Sequence, residues 1–436
     1  MNNARHLKKV LLQSISTLSQ QKEKFLFNPR VDFTRKRKLS FDELIKFVIC
    51  MESGTIKDEL YKYFGLSGNG VTVSAFIQHR SKIKHEAFKY VFEVFNEKTI
   101  QFKSYKGYRL IAVDGSTLPI SIDMGDRETY SLNHGKNEKG YNAFHLHASY
   151  DLLEHTYDDI IIEGEAKYNE NAAFIDIVDR YTGKKAIFIA DRNYESYNLF
   201  EHVSNSNNKF LIRIKDYDSN GMLKGMHISL SGECDIDISR ILTFKQTKEV
   251  KEHPEKYRFF PRKIRFDYLD NNVSYYQFKC RIVRIKISDG SYECIATNLE
   301  RDEFPLEEIK KLYNMKWGIE TAFRELKYAI GLNAFHTKKR ELIKQEIYAR
   351  LILHNFCERI IRKIKISKKE RKYQYQVNFT RAVHILRSFL KIKKGGKHPP
   401  DIESILSKEI EPIRPGRTNS RKIKPKSVVY FTYRFN

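Results

Sequence analysis

The sequence predicts an α/β protein in which a central region of strands and helices is flanked by helical regions on both sides. Three observations support this fold class. Apolar residues recur at spacings of three and four before residue 100 and again beyond residue 330, as in amphipathic helices. Between residues 105 and 215, short apolar runs alternate with helical patterns. Between 216 and 298, apolar residues alternate with polar ones, as in half-exposed antiparallel strands.

The chain is strongly basic. Its 79 Lys and Arg residues exceed its 54 Asp and Glu residues, which leaves a formal net charge of +25 over 436 residues. This balance favours a polyanionic partner, most simply nucleic acid, over an anionic membrane surface. A solvated lysine-rich surface, as encoded by an AT-rich genome, remains the alternative. The hydrophobic fraction of 41%, with 13% aromatic residues, argues against a disordered chain.

The sequence also indicates the cellular compartment in which the protein acts. No apolar run approaches the roughly 18 residues of a membrane-spanning helix, and no secretory signal is present. The cysteines show no CxxC spacing, which argues against a zinc finger and fits a reducing environment. We therefore expect a cytoplasmic, nucleoid-associated protein without a membrane partner. The five cysteines are Cys50, Cys234, Cys280, Cys294 and Cys357.

Residues 1–104 are predicted to form a helical DNA-binding region. Helical spacing relates Leu44, Phe47 and Val48, and later Phe88, Val91, Phe92 and Phe95. A glycine-containing turn at 65–70 precedes a polar and basic segment at 71–82, a pattern that suggests a helix-turn-helix-like element. A plain helical bundle remains the alternative.

Residues 105–215 have the element order of an RNase H-like sheet: three strands, helix, strand, helix, strand. The second and third strands are joined by a short link, so we expect them to form a hairpin. The predicted strands are Tyr108–Asp114, Asn142–Tyr150, Thr156–Glu163, Ala186–Asp191 and Phe210–Lys215, and the helices are Asn171–Tyr181 and Tyr197–Ser204.

The rest of the chain is divided by its patterns into three further regions. Residues 216–298 are predicted to be a β insertion, with strands at Phe259–Tyr268, Val273–Arg284 and Tyr292–Thr297. Residues 299–335 are predicted to rejoin the RNase H-like region with a long helix that begins near Pro305. Residues 336–436 are predicted to be helical, at Ile347–Ile361 and Thr380–Leu390, and to end in a basic tail from Arg414 to Asn436.

Three acidic residues are the candidates for chemistry. Asp114 and Asp191 each close a short apolar run, and Glu320 lies in the predicted helix. We expect the two aspartates at strand ends. Carboxylates placed in this way suit a two-metal phosphodiester site, because Mg²⁺ takes hard oxygen ligands and paired ions stabilise attacking and leaving oxygens.

A helical wheel separates two stripes on the helix that carries Glu320. The predicted buried stripe consists of Leu312, Ile319, Phe323, Leu326 and Ile330. The stripe beside it consists of Tyr313, Lys316, Glu320 and Lys327. A solvated ladder of charges is the alternative interpretation. Because the second stripe borders the apolar one, we expect Glu320 at the rim of the core, near the sheet.

The pattern Tyr313-x-x-Lys316-x-x-x-Glu320-x6-Lys327 resembles the YREK signature of DDE transposases from bacterial insertion sequences. The segments IAVDGSTLPI at 111–120, HLHASYDLL at 145–153 and IADRNYESYNLF at 189–200 are similar to that family as well. So are FLIRIK at 210–215 and the basic C-terminal PIRPGRTNSRKIKPKS. The family's arginine is Lys316 here, which keeps the charge but loses the bidentate fork.

The resemblance implies a metal triad of Asp114, Asp191 and Glu320 that holds two Mg²⁺ ions, for which Mn²⁺ can substitute. It implies phosphate contacts from Tyr313, Lys316 and Lys327. We add Arg213 and Arg324 as further DNA-contact candidates, and Arg192 as a weaker one.

The implied function is a DNA transposase that binds terminal inverted repeats, cleaves strands and transfers them into target DNA, as a homodimer. Two other functions remain open at this point. One is an RNase H-like nuclease in DNA repair, and the other is a retired transposase that acts as a DNA-binding protein.

Three further features are not assigned a role in chemistry. Trp317, the one tryptophan, is expected to pack, and the insertion aromatics Tyr275, Tyr276 and Phe278 cannot be ranked as base-stacking residues. His145-x-His147 places two imidazoles on one strand face without an evident third metal ligand. Ser116 and Thr117 are expected to satisfy a turn rather than act as nucleophiles.

Overall fold

The structure, a computed structural model, describes residues 3–35, 37–65, 70–132, 140–217, 219–226, 232–288, 290–367, 373–392 and 400–414. Within these ranges a ten-stranded sheet is flanked by helices on both faces. The coarse prediction of an α/β protein is confirmed. None of the described helices is long and apolar enough to cross a membrane.

The N-terminal region is helical, as predicted. Ser40, Thr55 and Thr72 cap three of its helices, each accepting a bond from the backbone N–H three residues on, which satisfies an otherwise unpaired donor. The helices are α1 (Asn3–Ser19), α2 (Phe41–Cys50), α3 (Ile56–Phe64), α4 (Val73–Arg80) and α5 (Glu86–Thr99).

The predicted helix-turn-helix-like element corresponds to α3 and α4, although turn residues 66–69 lie outside the described residues. One part of that prediction is wrong. Arg80, in the segment expected to present basic side chains, is 1% exposed and bonded to Gln345, Glu346 and the carbonyl oxygen of Leu342. Arg80 therefore joins α4 to residues 342–346 instead of facing solvent.

The first part of the sheet has the predicted order of elements, apart from one additional two-residue strand, Tyr130–Ser131, that was not predicted. Strands β1 (Arg109–Ile120), β2 (Tyr130–Ser131), β3 (Tyr141–Asp151) and β4 (Thr156–Gly164) are followed by helix α6 (Glu170–Asp179), strand β5 (Ala186–Ala190), helix α7 (Tyr197–Asn205) and strand β6 (Lys209–Ile214). The predicted hairpin is confirmed, since β3 and β4 pair antiparallel. Strand β1 lies between β3 and β5, antiparallel to the first and parallel to the second.

One strand differs from its prediction in a way that matters for the site. β1 does not end at Asp114 but continues to Ile120, because β3 offers backbone partners along that whole length. Asp114 therefore lies in mid-strand, opposite Ala148. The expected turn role of Ser116 and Thr117 is also wrong, since both are strand residues.

The segment after β6 extends the same sheet. It forms β7 (Cys234–Thr243), helix α8 (Lys248–Glu252), β8 (Tyr257–Phe259), β9 (Tyr275–Ser288) and β10 (Ser291–Thr297). Strand β10 pairs with β6, β9 with β10, and β7 with β9, all antiparallel. The predicted strand Phe259–Tyr268 is wrong beyond Phe259, and β7 was not predicted.

The remaining described chain is mainly helical. It comprises α9 (Leu306–Met315), α10 (Trp317–Arg324), a π-helical turn (Glu325–Ala329), α11 (Arg340–Ile361), β11 (Tyr375–Val377), α12 (Phe379–Lys391), α13 (Ile402–Leu406) and β12 (Ile410–Pro412). Lys316, between α9 and α10, has helical dihedrals. Of the predicted basic tail, all residues after Arg414 lie outside the described residues.

Alternation along β1 builds a core on each face of the sheet. Leu110 and Ala112 belong to a core shared with α1, α2, α5 and α9 to α12. Ile111 and Val113 face α6, α7 and the extension strands. Because side chains on a strand alternate between faces, this pattern leaves Asp114 on the face of Ala112, toward the helices that follow residue 305.

Candidate active site

The first two acids are brought together by strand register. In the parallel strands β1 and β5, Ala112 is paired with Ile189. Asp114 and Asp191 each lie two residues beyond this pair. Asp191 directly follows β5, as predicted, and begins a 3₁₀ turn whose Asn193 N–H donates to its Oδ1 at 2.9 Å. Neighbouring parallel strands therefore hold the two carboxylates side by side at one position of the sheet.

The third acid lies on helix α10. The apolar stripe that runs from α9 through α10 to the end of the π-helical turn is buried as predicted. Leu312, Ile319, Phe323, Leu326 and Ile330 are at most 6% exposed. Gly318 permits the close approach, because a Cβ there would lie 2.9 Å from Leu152 Cδ2 of the β3–β4 link. Glu320 keeps a side chain that is 34% exposed at the rim of this contact.

Lys316 connects the helix to the sheet. Its Nζ lies 3.7 Å from Asp114 Oδ2 and 3.5 Å from Glu320 Oε1, although the residue is only 6% exposed. A single ammonium group thus touches two of the three acids, which come from positions 206 residues apart along the chain.

The charge of Asp114 reflects this crowding. Burial, chiefly, together with the neighbouring Asp191 and Glu320, raises the pKa of Asp114 to about 6. Lys316 and the N–H of Gly115, which donates to Oδ1 at 2.8 Å, act in the opposite direction. A carboxylate whose pKa is raised by two other acids belongs to a cluster that attracts cations.

A family model described as the transposase DDE domain matches residues 105–356, more than half of the chain. The chain belongs to this family. The matched residues include all three acids and the whole sheet.

Curated relatives match a shorter segment. The transposase for insertion sequence element IS421 of Escherichia coli is 32% identical over 84 residues, which are 19% of this chain and 23% of that protein. InsL of insertion sequence element IS186A, from Escherichia coli strain K12, gives the same figures. The matched segment is thus less than a quarter of the length of these relatives.

One solved structure is a cryo-EM structure of the piggyBac transposase synaptic complex with hairpin DNA. It aligns with 96% of this chain and 87% of that chain, with a TM-score of 0.49 and 12% sequence identity.

Two of the predicted phosphate contacts of the DDE domain lie together beside Asp191. Arg213 Nη1 forms an ion pair with Glu293 Oε1 at 2.9 Å and remains 36% exposed. Burial, followed by Glu293, raises the pKa of Tyr313, while the nearby Arg213 lowers it. Tyr313 is therefore neutral and able to donate its hydroxyl proton.

The other predicted contacts differ in accessibility. Lys327 Nζ donates to the carbonyl oxygen of Thr117 at 3.1 Å, and burial lowers the pKa of this lysine. Arg324 and Arg192 are exposed. The geometry therefore places Lys327 in a structural contact with β1 and leaves the two arginines open to a ligand.

The expectation that Trp317 packs is wrong. Its indole is 66% exposed, next to Lys316 in the sequence and one turn from Glu320. Tyr328, which sequence reasoning did not single out, is 74% exposed on the following π-helical turn. Large aromatic side chains exposed beside a charged site are a recognised means of contacting nucleic-acid bases.

The two histidines have acidic neighbours that the sequence did not reveal. His145 lies 3.3 Å from Glu170 and 3.6 Å from Glu165, and His147 lies 2.8 Å from Glu163. Burial works to lower the pKa of His145, but the two glutamates outweigh it and the pKa is raised. His145 packs against Gly115, where a Cβ would meet His145 Nε2, so this imidazole supports the backbone next to Asp114.

A cleft of about 630 Å³ begins beside Asp191 and was missed by sequence reasoning. Its basic residues are Arg192, Lys215, Arg258 and Arg265. They come from three separate segments, after β5, after β6, and in and after β8, so no single motif could have indicated this surface.

Proposed function

We propose that this protein is a DNA transposase, which cleaves DNA strands at the ends of an insertion sequence and joins them to target DNA. The observation that carries the proposal is the convergence of Asp114, Asp191 and Glu320. Strand register supports the proximity of Asp114 and Asp191. The shared contact with Lys316 supports the proximity of Asp114 and Glu320. Membership in the transposase DDE family supplies the reaction class.

The acids are suited to divalent metal ions. Their donors are hard carboxylate oxygens, and Asp114 and Glu320 are 20% and 34% exposed, so a cation can reach them from solvent. The Lys316 ammonium between them shows that a positive charge is already accommodated there. Two Mg²⁺ ions, or Mn²⁺ in their place, would be held by the triad and would supply activation of the nucleophile and stabilisation of the leaving oxygen.

The surrounding residues would position the DNA. Arg213, Arg324 and Arg192 are accessible for phosphate oxygens, and Tyr313 can donate a hydroxyl bond to one. Lys316 and Lys327 are engaged with the protein itself, so we assign them to the edge of the phosphate site. The basic cleft would carry the backbone of the strand away from the acids, and Trp317 and Tyr328 would face its bases.

The fold is consistent with this assignment. We interpret the order β4-β3-β1-β5-β6 as an RNase H-like core and residues 216–298 as an insertion that extends it. Residues 105–215 and 299–335 would then form the catalytic core. Residues 1–104 would bind DNA through α3 and α4, and residues 336–436 would complete the helical layer and add the basic tail.

The net charge of +25 supports double-stranded DNA as the partner, both inverted repeats and target. Because one active site acts on one transposon end at a time, we infer a homodimer that holds two ends together. The nucleoid would be its place of action.

Incubation of the protein with its own element's ends, Mg²⁺ and target DNA tests the proposal. We expect cleavage at the ends and joined products. Asp114→Asn, Asp191→Asn and Glu320→Gln should each lower cleavage by at least about a thousandfold, since electrostatic terms of this kind are worth several kcal/mol. Glu252→Gln, an exposed acid on α8, is the matched control and should cleave normally.

The outcomes separate the alternatives. Cleavage without any joined product would indicate a nuclease. Binding to the ends without cleavage would indicate a DNA-binding protein. A triad variant that cleaves at the normal rate would remove that residue from the site.

A further inference from the structure

Lys316 has an unusual position for a lysine. Its side chain is 8% exposed, and its ammonium lies between Asp114 and Glu320, at 3.7 and 3.5 Å from one oxygen of each. Lysine is rarely buried unless it is paired, and here both partners are candidate metal ligands.

The geometry is that of a cation shared by two carboxylates. A lysine ammonium is a compact point charge, so it can fit where a planar guanidinium fork would not. A metal ion bound to the same two oxygens would bring a second positive charge to within a few ångströms of Nζ. Mutual repulsion at that distance is strong in a partly buried site, so the two cations exclude each other.

We propose that Lys316 is a built-in counter-ion that occupies the metal position in the metal-free protein and is expelled when the metal binds. This inference rests on the proposed function, in which Asp114 and Glu320 are metal ligands. In the metal-free state the ammonium keeps the carboxylates together and their repulsion low. Metal binding releases the ammonium, so loading of the site and availability of Lys316 for a DNA phosphate are coupled.

Lys327 provides a matched comparison within the same helical segment. It is also largely buried and close enough to Asp114 for their charges to interact, but its ammonium donates to the carbonyl oxygen of Thr117. Its removal takes away one positive charge near the acids without vacating the position between them. A general charge effect and direct competition can therefore be separated.

The first test is the affinity for Mn²⁺ in the absence of DNA, measured from the electron paramagnetic resonance signal of the free ion. Sites that depend on Asp114 are identified by comparison with Asp114→Asn. We expect Lys316→Met to lower the Kd at this site at least about tenfold, or about 1.4 kcal/mol, and Lys327→Met to change it less than about threefold. An unchanged or weaker affinity in Lys316→Met would overturn the inference.

A second test uses the wild-type protein and so does not depend on the folding of a variant. Reductive methylation of lysines is followed by mass spectrometry with and without saturating Mn²⁺. We expect methylation of Lys316 to increase several-fold with metal while that of Lys327 stays constant. No increase at Lys316 would count against expulsion.

These results are distinguishable from failure of the proposed function. If wild-type protein shows no Mn²⁺ site that Asp114→Asn abolishes, the metal triad itself is wrong. If that site exists but either its affinity in Lys316→Met or the methylation of Lys316 fails to change as described, the counter-ion role alone is wrong.

Discussion

Gly115 separates the first acid from the two buried histidines, and the space beside it is too small for a methyl group. A Cβ would lie 2.4 Å from His145 Nε2 and 3.0 Å from Glu170 Oε1. Since the His145 ring is itself stacked on Tyr168 with 3.9 Å between centroids, it cannot move aside freely. Glycine is therefore required here by packing, although its φ is not positive.

We predict that Gly115→Ala destabilises the protein by about 1–3 kcal/mol, as overpacking of a filled site does. Because the displaced backbone carries Asp114, the variant should also lose Mn²⁺ affinity. Urea unfolding and metal titration measure the two effects. Gly125→Ala, where the new Cβ would have an ordinary 3.4 Å contact with Asp123 Oδ1, is the control and should change neither. Equal stability of the two variants would contradict the packing argument.

At the residue scale, the sequence indicated the three acids because each had a recognisable neighbourhood. It could not indicate the exposure of Trp317, since a tryptophan beside an apolar stripe is compatible with either face. Nor could it supply acidic neighbours for His145, because Glu165 and Glu170 reach it through the β3–β4 hairpin and the turn that follows. Such contacts depend on tertiary placement rather than on spacing.

At the scale of elements, β3 is the strand next to β1, and its pairing with β4 in a hairpin holds it in place. The link between its strands contains His155, which has a positive φ of 57°. Its Nδ1 lies 3.0 Å from Arg362 Nη2 and so accepts a bond as the neutral imidazole. Burial, followed by Arg362, lowers the pKa of His155 to about 3.

This histidine makes the hairpin sensitive to acid. In the unfolded chain it binds a proton near pH 6.5, whereas in the folded protein it stays neutral until about pH 3. The unfolded state therefore binds more protons between these values, and stability falls as the pH drops through that window.

We predict that His155→Asn removes part of this loss. Asparagine tolerates the positive φ and does not titrate. Between pH 7.5 and pH 5, wild type should lose about 1–2 kcal/mol more unfolding free energy than the variant. His253→Asn, at an exposed site, should follow wild type at both values. Parallel pH profiles for wild type and His155→Asn would show that His155 does not carry the effect.

Element boundaries were predictable where an apolar pattern ends in a turn. The hairpin, α6, α7 and β6 lie within a few residues of their predicted positions. β1 extends further because pairing with β3, not the apolar pattern, decides where it ends. Strand β7 escaped prediction because its charged residues Asp235 and Arg240 are satisfied by distant partners, including Arg281 for the aspartate.

At the scale of the whole molecule, α11 joins regions that the sequence suggested as separate. Most of its residues are buried, and it contacts α1, α2, α5 and α12. The buried ion pair of Arg80 with Glu346, at 2.9 Å, links the N-terminal helices to α11. The helices before β1 and those after residue 336 therefore share one core.

Loss of one member of this pair should lower the free energy of unfolding of the whole protein, because the pair connects two helical regions. We predict that Arg80→Met costs about 3–5 kcal/mol, because it leaves Glu346 buried with less compensation. Lys62→Met breaks the exposed pair with Glu52 and should cost at most about 1 kcal/mol. Chemical unfolding measures both. A cost for Arg80→Met as small as that of Lys62→Met would mean that the two helical regions are held together without this pair.

The basic cleft beside Asp191 belongs to the same scale, because α7, the loop after β6 and the sheet extension each contribute part of it. Cations assembled in this way bind a phosphate backbone by releasing its counter-ions, so their contribution depends on salt. Lys215 and Arg258 lie on separate segments of the cleft and do not touch the acids. They can therefore be changed without altering the three acids.

We predict that the double variant Lys215→Gln with Arg258→Gln binds duplex DNA more weakly at low salt and with a shallower salt dependence. If each residue neutralises one phosphate, the slope of log K against log salt concentration should become less negative by about 1.8. Fluorescence anisotropy with a duplex of the element's end measures it. Lys363→Gln with Lys365→Gln removes the same charge from exposed positions outside the cleft and should leave the slope unchanged. Identical slopes for the two double variants would show that DNA does not follow the cleft.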